Sequence, residues 1–126
     1  MRLTAISMDR ATVALDTQEC NLQPFGKVHG GAIATLIDTA TFWAAFLRLP
    51  EEAGLVNIDL KLNYLKSIGT ERMVAEGRCL RPGRTVSYAE ARVTDQHGQL
   101  VAHGTSSLMV LPGKGIDIGV RKFITS

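Results

Sequence analysis

The sequence predicts an α+β fold in which one long central helix is wrapped by a curved antiparallel sheet of about five strands. Residues 29–48 lack proline and are rich in Ala, Leu, Ile and Thr, which predicts a single long helix. Several segments around it have strand character, and the links between them are short, which favours antiparallel neighbours. The length of 126 residues suits one domain, residues 1–126.

The first part of the chain leads into the predicted helix. Residues 11–15 are a short strand candidate, and residues 18–27 hold turn-forming residues that predict a loop. The helix is expected from about His29 to Arg48, because Pro50 stops it. Since this helix is apolar almost all round, we expect it to be buried on most sides.

Four strands are predicted after the helix. The first has a period of two, with one apolar series separated by polar residues: Val56, Ile58, Leu60, Leu62 and Tyr64. The others cover residues 73–80, 85–94 and 100–111, with turns at 81–84 and 95–98. We expect the tail from Pro112 to be irregular. One helix on one sheet leaves sheet edges open, so we expect a second copy to cover them.

Composition argues against several classes of function. The net charge of +2 is too small to indicate a nucleic-acid-binding protein, and the apolar stretch 30–49 contains Asp38 and Arg48, which makes it a poor membrane span. Cys20 and Cys79 form no CxxC pair, so we expect reduced thiols in a cytoplasmic protein and no metal or cofactor site. The N-terminus shows no signal-peptide pattern.

Asp38 is the first candidate for chemistry, because it lies in the middle of the apolar helix. Burying a lone carboxylate is expensive, and no Lys or Arg stands three or four residues away. Such a carboxylate has a partner or a catalytic task. The alternatives are that it faces solvent or bonds a threonine hydroxyl.

The second candidate is the His29-Gly30-Gly31 sequence at the start of the helix. A helix N-terminus offers free backbone N–H groups, and glycines let another group approach them closely. Together they can hold an oxyanion or a polarised carbonyl. The alternative is a flexible helix start with an incidental histidine.

These features occur together in a pattern that resembles the hotdog-fold acyl-CoA thioesterases, notably the phenylacetate-degradation (PaaI) type. Gln23 stands six residues before His29, and Asp38 stands nine after it. The segments 56–66, 77–86 and 95–105 also resemble the family in consistent order, so the likeness spans roughly residues 11–111. The resemblance implies hydrolysis of an acyl- or aryl-CoA to the free acid and CoA.

The resemblance also implies roles for the candidate residues. Asp38 acts as nucleophile or as general base toward water, and the Gly30 N–H polarises the thioester carbonyl. Gln23 assists that carbonyl or orients the attacking group, while His29 shapes the site near the sulfur. The sites of the family form between two subunits of a homodimer or homotetramer, so Asp38 of one chain is expected to face Gly30 and Gln23 of the other.

Further residues are implied in substrate binding. The arginines around the 81–84 turn suit phosphate, and the resemblance puts this turn near the CoA nucleotide; the alternative is a solvated surface turn. The predicted substrate-binding residues are Gly31, Thr41, Phe42, Asn63, Tyr64, Arg81, Gly83, Arg84 and Thr85.

The sequence departs from the family in ways that leave the acyl group open. Many members of the phenylacetate type have Asn where this chain has Gln23, whereas an aryl-CoA branch has Gln with Glu in place of Asp38. That branch places Ser or Thr where this chain has Phe42, so Thr41 is a loose substitute for positioning water. Two other functions compete on the same fold: an acyl-CoA hydratase or dehydratase, and a non-catalytic acyl-CoA-binding protein. The position of His29 argues against the first, and the presence of Asp38 argues against the second.

Overall fold

A computed structural model of the chain describes residues 1–115, so the predicted irregular tail lies largely outside the described residues. In chain order, the elements are β1 (Arg2–Ser7), β2 (Arg10–Asp16), a 3₁₀ turn (Glu19–Asn21), α1 (Gly30–Phe46), β3 (Gly54–Tyr64), β4 (Arg72–Arg81), β5 (Val86–Thr94) and β6 (Leu100–Leu111).

The six strands form one sheet in the order β1-β2-β4-β5-β6-β3, and every pairing is antiparallel. The predicted α+β architecture is therefore confirmed, with one strand more than about five. The additional strand is β1, which is exposed along its whole length and pairs only with β2. Because it buries nothing, its sequence lacks the alternation that reveals a half-buried strand.

Helix α1 packs across the inner face of the sheet through one apolar side. The approach is close because the facing strand positions are small: a Cβ on Gly77 would lie 2.3 Å from the carbonyl oxygen of Ala40. The predicted helix is confirmed, and it is buried on most sides, as expected. Gly31, Thr35 and Asp38 lie along an exposed stripe that the sheet does not cover.

Strand β3 departs from its predicted alternation. The register with β6 shifts between Asn57 and Asp59, which is the signature of a β-bulge. Leu60 and Leu62 pack against the core as predicted, whereas Val56 and Ile58 are 45% and 52% exposed. The bulge changes which residues face α1, so Asn57 rather than its apolar neighbours points toward the helix.

Strands β1 and β3 are the two edges of the sheet. Within residues 1–115, no helix is both long enough and apolar enough to cross a membrane.

Candidate active site

The start of α1 presents a free backbone donor. His29 precedes the helix in an extended conformation (φ −58°, ψ 137°), and Gly30 is the first helical residue. The first N–H groups of a helix have no intrahelical acceptor, and among residues 1–115 the Gly30 N–H finds none elsewhere. The Tyr64 hydroxyl donates to the Gly30 carbonyl at 3.0 Å, which ties the first turn of the helix to the end of β3.

The loop before the helix orients the side chain of Gln23. Its backbone N–H donates to the Lys27 carbonyl at 2.6 Å, and a short antiparallel bridge joins Leu22 to Val28. The Phe25 N–H donates to Gln23 Oε1. Because the amide oxygen is engaged, Nε2 is left as a donor without an acceptor in the described part of the chain. An open surface cleft of about 650 Å³ runs beside this loop, lined by Glu19, Leu22, Gln23, Pro24, Gly26 and His29.

Asp38 lies exposed on the uncovered stripe of α1. The side-chain amide of Asn57 on β3 donates to Asp38 Oδ1 at 2.6 Å. No Lys, Arg or His of residues 1–115 forms an ion pair with it. Of the alternatives left open by the sequence, the solvent-facing position is observed, and the hydrogen-bond partner is an asparagine rather than a threonine.

Behind Asn57 lies a buried hydroxyl pair. Asn57 Nδ2 is 3.4 Å from Ser106 Oγ, which is 2.8 Å from Thr41 Oγ1. Ser106 and Thr41 are both fully buried, and the Thr41 hydroxyl is also 2.8 Å from the Ile37 carbonyl oxygen. Thr41 is therefore turned into the protein and away from the surface where a substrate could bind. The sequence analysis missed Asn57 and Ser106, which look there like ordinary polar residues of alternating strands.

Gly30 and Asp38 cannot act on the same bond within one chain. They are eight residues apart on one helix, which separates them by about 12 Å along the axis. The attacking atom must lie roughly 3–3.5 Å from the carbonyl carbon, while the donor binds the oxygen of that same carbonyl. If both groups serve one carbonyl, one of them must come from a second copy.

The other predicted substrate-binding residues are spread over the molecule. Phe42 is half-buried, stacks on Phe46 with ring centroids 5.1 Å apart, and lies one helical turn after Asp38 on α1. Asn63 lies exposed opposite His103 on β6, on the face of the sheet that points away from α1. Gly31 lies exposed on the first turn of the helix, one residue after the free N–H.

The turn between β4 and β5 requires its glycine. A Cβ on Gly83 would meet the Val86 carbonyl oxygen at 1.7 Å. Arg81, Arg84 and Thr85 are exposed around it, and neither arginine forms an ion pair with a carboxylate of residues 1–115. In contrast, Lys66 is bound to Asp95 and Gln99 at the β5–β6 turn.

Two further groups have displaced pKa values. The hydrogen bond from Lys66 lowers the pKa of Asp95 from 3.8 to about 2, and burial raises the pKa of the Cys79 thiol from 9.0 to about 11. Within residues 1–115, no group of three or more His, Cys, Asp and Glu could hold a metal ion.

The long helix and its curved antiparallel sheet form the hotdog fold, the fold of a class of thioesterases. Residues 25–102 match the sequence profile of the thioesterase superfamily, and the chain belongs to that superfamily.

Individual relatives extend over most of the chain. An esterase-named protein of Saccharolobus solfataricus is 30% identical over 114 residues, which cover 90% of this chain and 81% of the relative. Acyl-coenzyme A thioesterase 13 of Mus musculus is 27% identical over 105 residues, which cover 81% of this chain and 74% of the mouse protein. The crystal structure of smu.793 from Streptococcus mutans, bound to acetyl CoA, superimposes with a TM-score of 0.81 at 26% identity and covers 89% of each chain.

Proposed function

We propose that this protein hydrolyses the thioester bond of an acyl- or aryl-CoA, at a site that two copies of the chain build together. The observation that carries the proposal is the exposed carboxylate of Asp38, held by Asn57 on a stripe of α1 that the sheet leaves uncovered. A CoA ester as substrate is supported by the mouse relative named as an acyl-CoA thioesterase and by the structural relative bound to acetyl CoA.

The proposed reaction begins with polarisation of the substrate carbonyl. The free N–H of Gly30 and the Nε2 donor of Gln23 hydrogen-bond the thioester oxygen, where negative charge develops. Both groups belong to adjoining segments of one chain, because His29 N–H donates to the Asn21 carbonyl at 2.8 Å and so fastens the loop to the helix start. His29 itself is exposed beside them and borders the sulfur side of the site.

Asp38 of the other copy completes the reaction. As general base, its carboxylate takes a proton from water while the water oxygen bonds to the carbonyl carbon. The tetrahedral intermediate collapses, the carbon–sulfur bond breaks, and the CoA thiolate leaves and takes up a proton. As nucleophile, the carboxylate instead forms a mixed anhydride as the thiolate leaves, and water then hydrolyses the anhydride to the acid.

A shared site explains why these groups lie at the surface of a single chain. The long edge strand β3 also exposes Val56 and Ile58, which a second copy would cover. We therefore propose a homodimer, with two dimers forming a tetramer. An active monomer in sedimentation at assay concentrations would contradict this arrangement.

Subunit mixing tests the shared site directly. Asp38→Asn and Gln23→Ala chains are each expected to form nearly inactive dimers. A hybrid dimer, however, contains one site in which both residues are native. Co-expression of the two chains in equal amounts should therefore restore about a quarter of the wild-type activity. If each site lay within one chain, mixing would restore nothing.

The CoA nucleotide is proposed to lie along the turn between β4 and β5. Arg81 and Arg84 are exposed there without carboxylate partners among residues 1–115, and an arginine fork suits a phosphate group. The motifs support a phenylacetate-degradation type enzyme, for which a cytoplasmic location is proposed. The motifs do not identify the acyl group, which a panel of substrates determines.

The first experiment is a panel of acyl-CoAs incubated with the protein and a thiol reagent. Release of free CoA supports the hydrolase, whereas binding without release indicates an acyl-CoA-binding protein. On the best substrate, Asp38→Asn should lower kcat on the order of 10²–10⁴-fold with little change in KM. A folded Asp38→Asn enzyme that keeps more than about a tenth of wild-type kcat would rule out the catalytic role of Asp38.

A further inference from the structure

Asn57 is the only side chain of residues 1–115 that hydrogen-bonds the Asp38 carboxylate, and it reaches that carboxylate from a bulge in β3. We propose that Asn57 is a positioning residue for Asp38, held in place by the buried hydroxyls of Ser106 and Thr41. This inference rests on the proposed function, because it concerns how the carboxylate is aimed.

The orientation of the Asn57 amide follows from its partners. Asp38 Oδ1, 2.6 Å away, is an acceptor, so the group facing it must be the Nδ2 donor rather than the amide oxygen. The second Nδ2 hydrogen points to Ser106 Oγ. Ser106 can then donate to Thr41 Oγ1, and Thr41 can donate to the Ile37 carbonyl. Each hydroxyl then donates one hydrogen bond, so donors and acceptors match along the whole chain from Asn57 to the Ile37 carbonyl.

Asn57 also has a buried acceptor without a hydrogen-bond partner in the described part of the chain, which a purely structural role does not explain. Asn57 Oδ1 is buried and has no hydrogen-bond partner among residues 1–115. An unpaired buried acceptor destabilises a protein, and a leucine of similar size would avoid it. The asparagine therefore stands at a position where stability alone favours an apolar side chain, which is typical of functional sites.

The consequence for Asp38 is that one oxygen is fixed and the other is left free. Oδ1 accepts from Asn57, whereas Oδ2 has no partner within the described residues. Rotation of the carboxylate about its χ2 angle is broad unless a hydrogen bond restricts it. Asn57 thereby aims Oδ2 at the open side of the stripe, where the attacking water or the thioester carbon would lie.

The test compares activity with stability. Asn57→Leu removes the donor and the unpaired acceptor together, so kcat should fall roughly 10- to 100-fold at similar KM. Its melting temperature should stay equal or rise. Asn57→Asp keeps the shape but sets two carboxylates against each other, so it should lose at least as much activity. A structural residue would show the reverse, a lower melting temperature with kcat preserved in the folded enzyme, and that result would overturn the proposal.

A double-mutant cycle shows whether Asn57 acts through Asp38. In the Asp38→Asn background, measured at high enzyme concentration, Asn57→Leu should change the residual kcat by less than about twofold. A full 10-fold or greater loss in that background, on the scale expected for the single change, would contradict the proposal.

Neighbouring serines on β6 provide a matched pair. Ser106→Ala removes the anchor of Asn57 and should lower kcat by at least about twofold. Ser107→Ala, on the opposite face of the same strand, should not. Equal effects of the two serine variants would remove Ser106 from the network.

If Asn57→Leu keeps wild-type kcat while Asp38→Asn loses it, the positioning role is wrong and the proposed function stands. If the Asp38→Asn enzyme is itself active, the proposed function is wrong, and the positioning role that depends on it is wrong as well.

Discussion

The free N–H of Gly30 can be removed with unusually little disturbance by substituting proline. Proline is tolerated at the first position of a helix, where its missing N–H has no intrahelical acceptor to lose. It also requires an extended conformation in the residue before it, and His29 already has φ −58° and ψ 137°. Gly30→Pro should therefore delete the proposed oxyanion donor while leaving α1 in place.

The steric demand of this change is also limited. A Cβ at position 30 would lie 3.1 Å from the Tyr64 hydroxyl oxygen, which is slightly too close. Tyr64 is 52% exposed, so the end of its side chain can move by a few tenths of an ångström. Gly30→Ala introduces the same Cβ but keeps the N–H, so it is the control for the added Cβ.

Loss of one donor to a developing oxyanion lowers kcat on the order of 10²–10³-fold, about 2.7–4 kcal/mol. We expect this ratio between Gly30→Ala and Gly30→Pro in steady-state hydrolysis of the best acyl-CoA. Circular dichroism and melting curves should show both variants folded. If the two folded variants turn over at similar rates, the Gly30 N–H does not stabilise the transition state, and the thioester must be polarised elsewhere.

Three further predictions concern the rest of the molecule. Arg84→Ala should raise KM for acyl-CoA about two- to fivefold but leave the KM of a thioester without the nucleotide unchanged; equal effects on both substrates would exclude a phosphate contact. Asp95→Asn should lower the melting temperature at pH 7, and because the Asp95 pKa lies near 2, the difference from wild type should persist to about pH 4 and disappear as pH falls toward 2. A thiol reagent should label one cysteine per native chain, the exposed Cys20, and reach buried Cys79 only after denaturation; two labelled thiols in the native protein would contradict the burial of Cys79.

The sequence predicted the helix and five of the six strands because their signals are local. Pro50 limits α1 within the sequence, and the structure ends the helix at Phe46. The β6 strand has the predicted bounds, and the turn at residues 95–98 is a tight hairpin turn with Gly98 at φ +76°. These features depend on residue type and period, which are visible in one chain.

The features that escaped prediction depend on contacts between distant segments. The bulge in β3 is set by its register with β6, and no residue in the alternating sequence of β3 marks Ile58 as the extra residue. Without that bulge, Asn57 would point outward with the other polar residues of the strand. Its bond to Asp38 joins two elements across 19 positions, and its anchor on Ser106 spans 49. Period and propensity carry no information on such pairs.

The exposed position of Asp38 changes how its apolar helix is to be understood. A helix that is apolar nearly all round predicts burial on most sides, and one chain leaves exposed only the stripe that carries Gly31, Thr35 and Asp38. That stripe carries the Asp38 carboxylate, which one chain leaves about 12 Å along the helix from the Gly30 donor. A second copy related by two-fold symmetry can cover the stripe and bring its own Gly30 to Asp38 at the same time. In the proposed dimer, the exposed position of this carboxylate follows from the shared site rather than from the fold of the single chain.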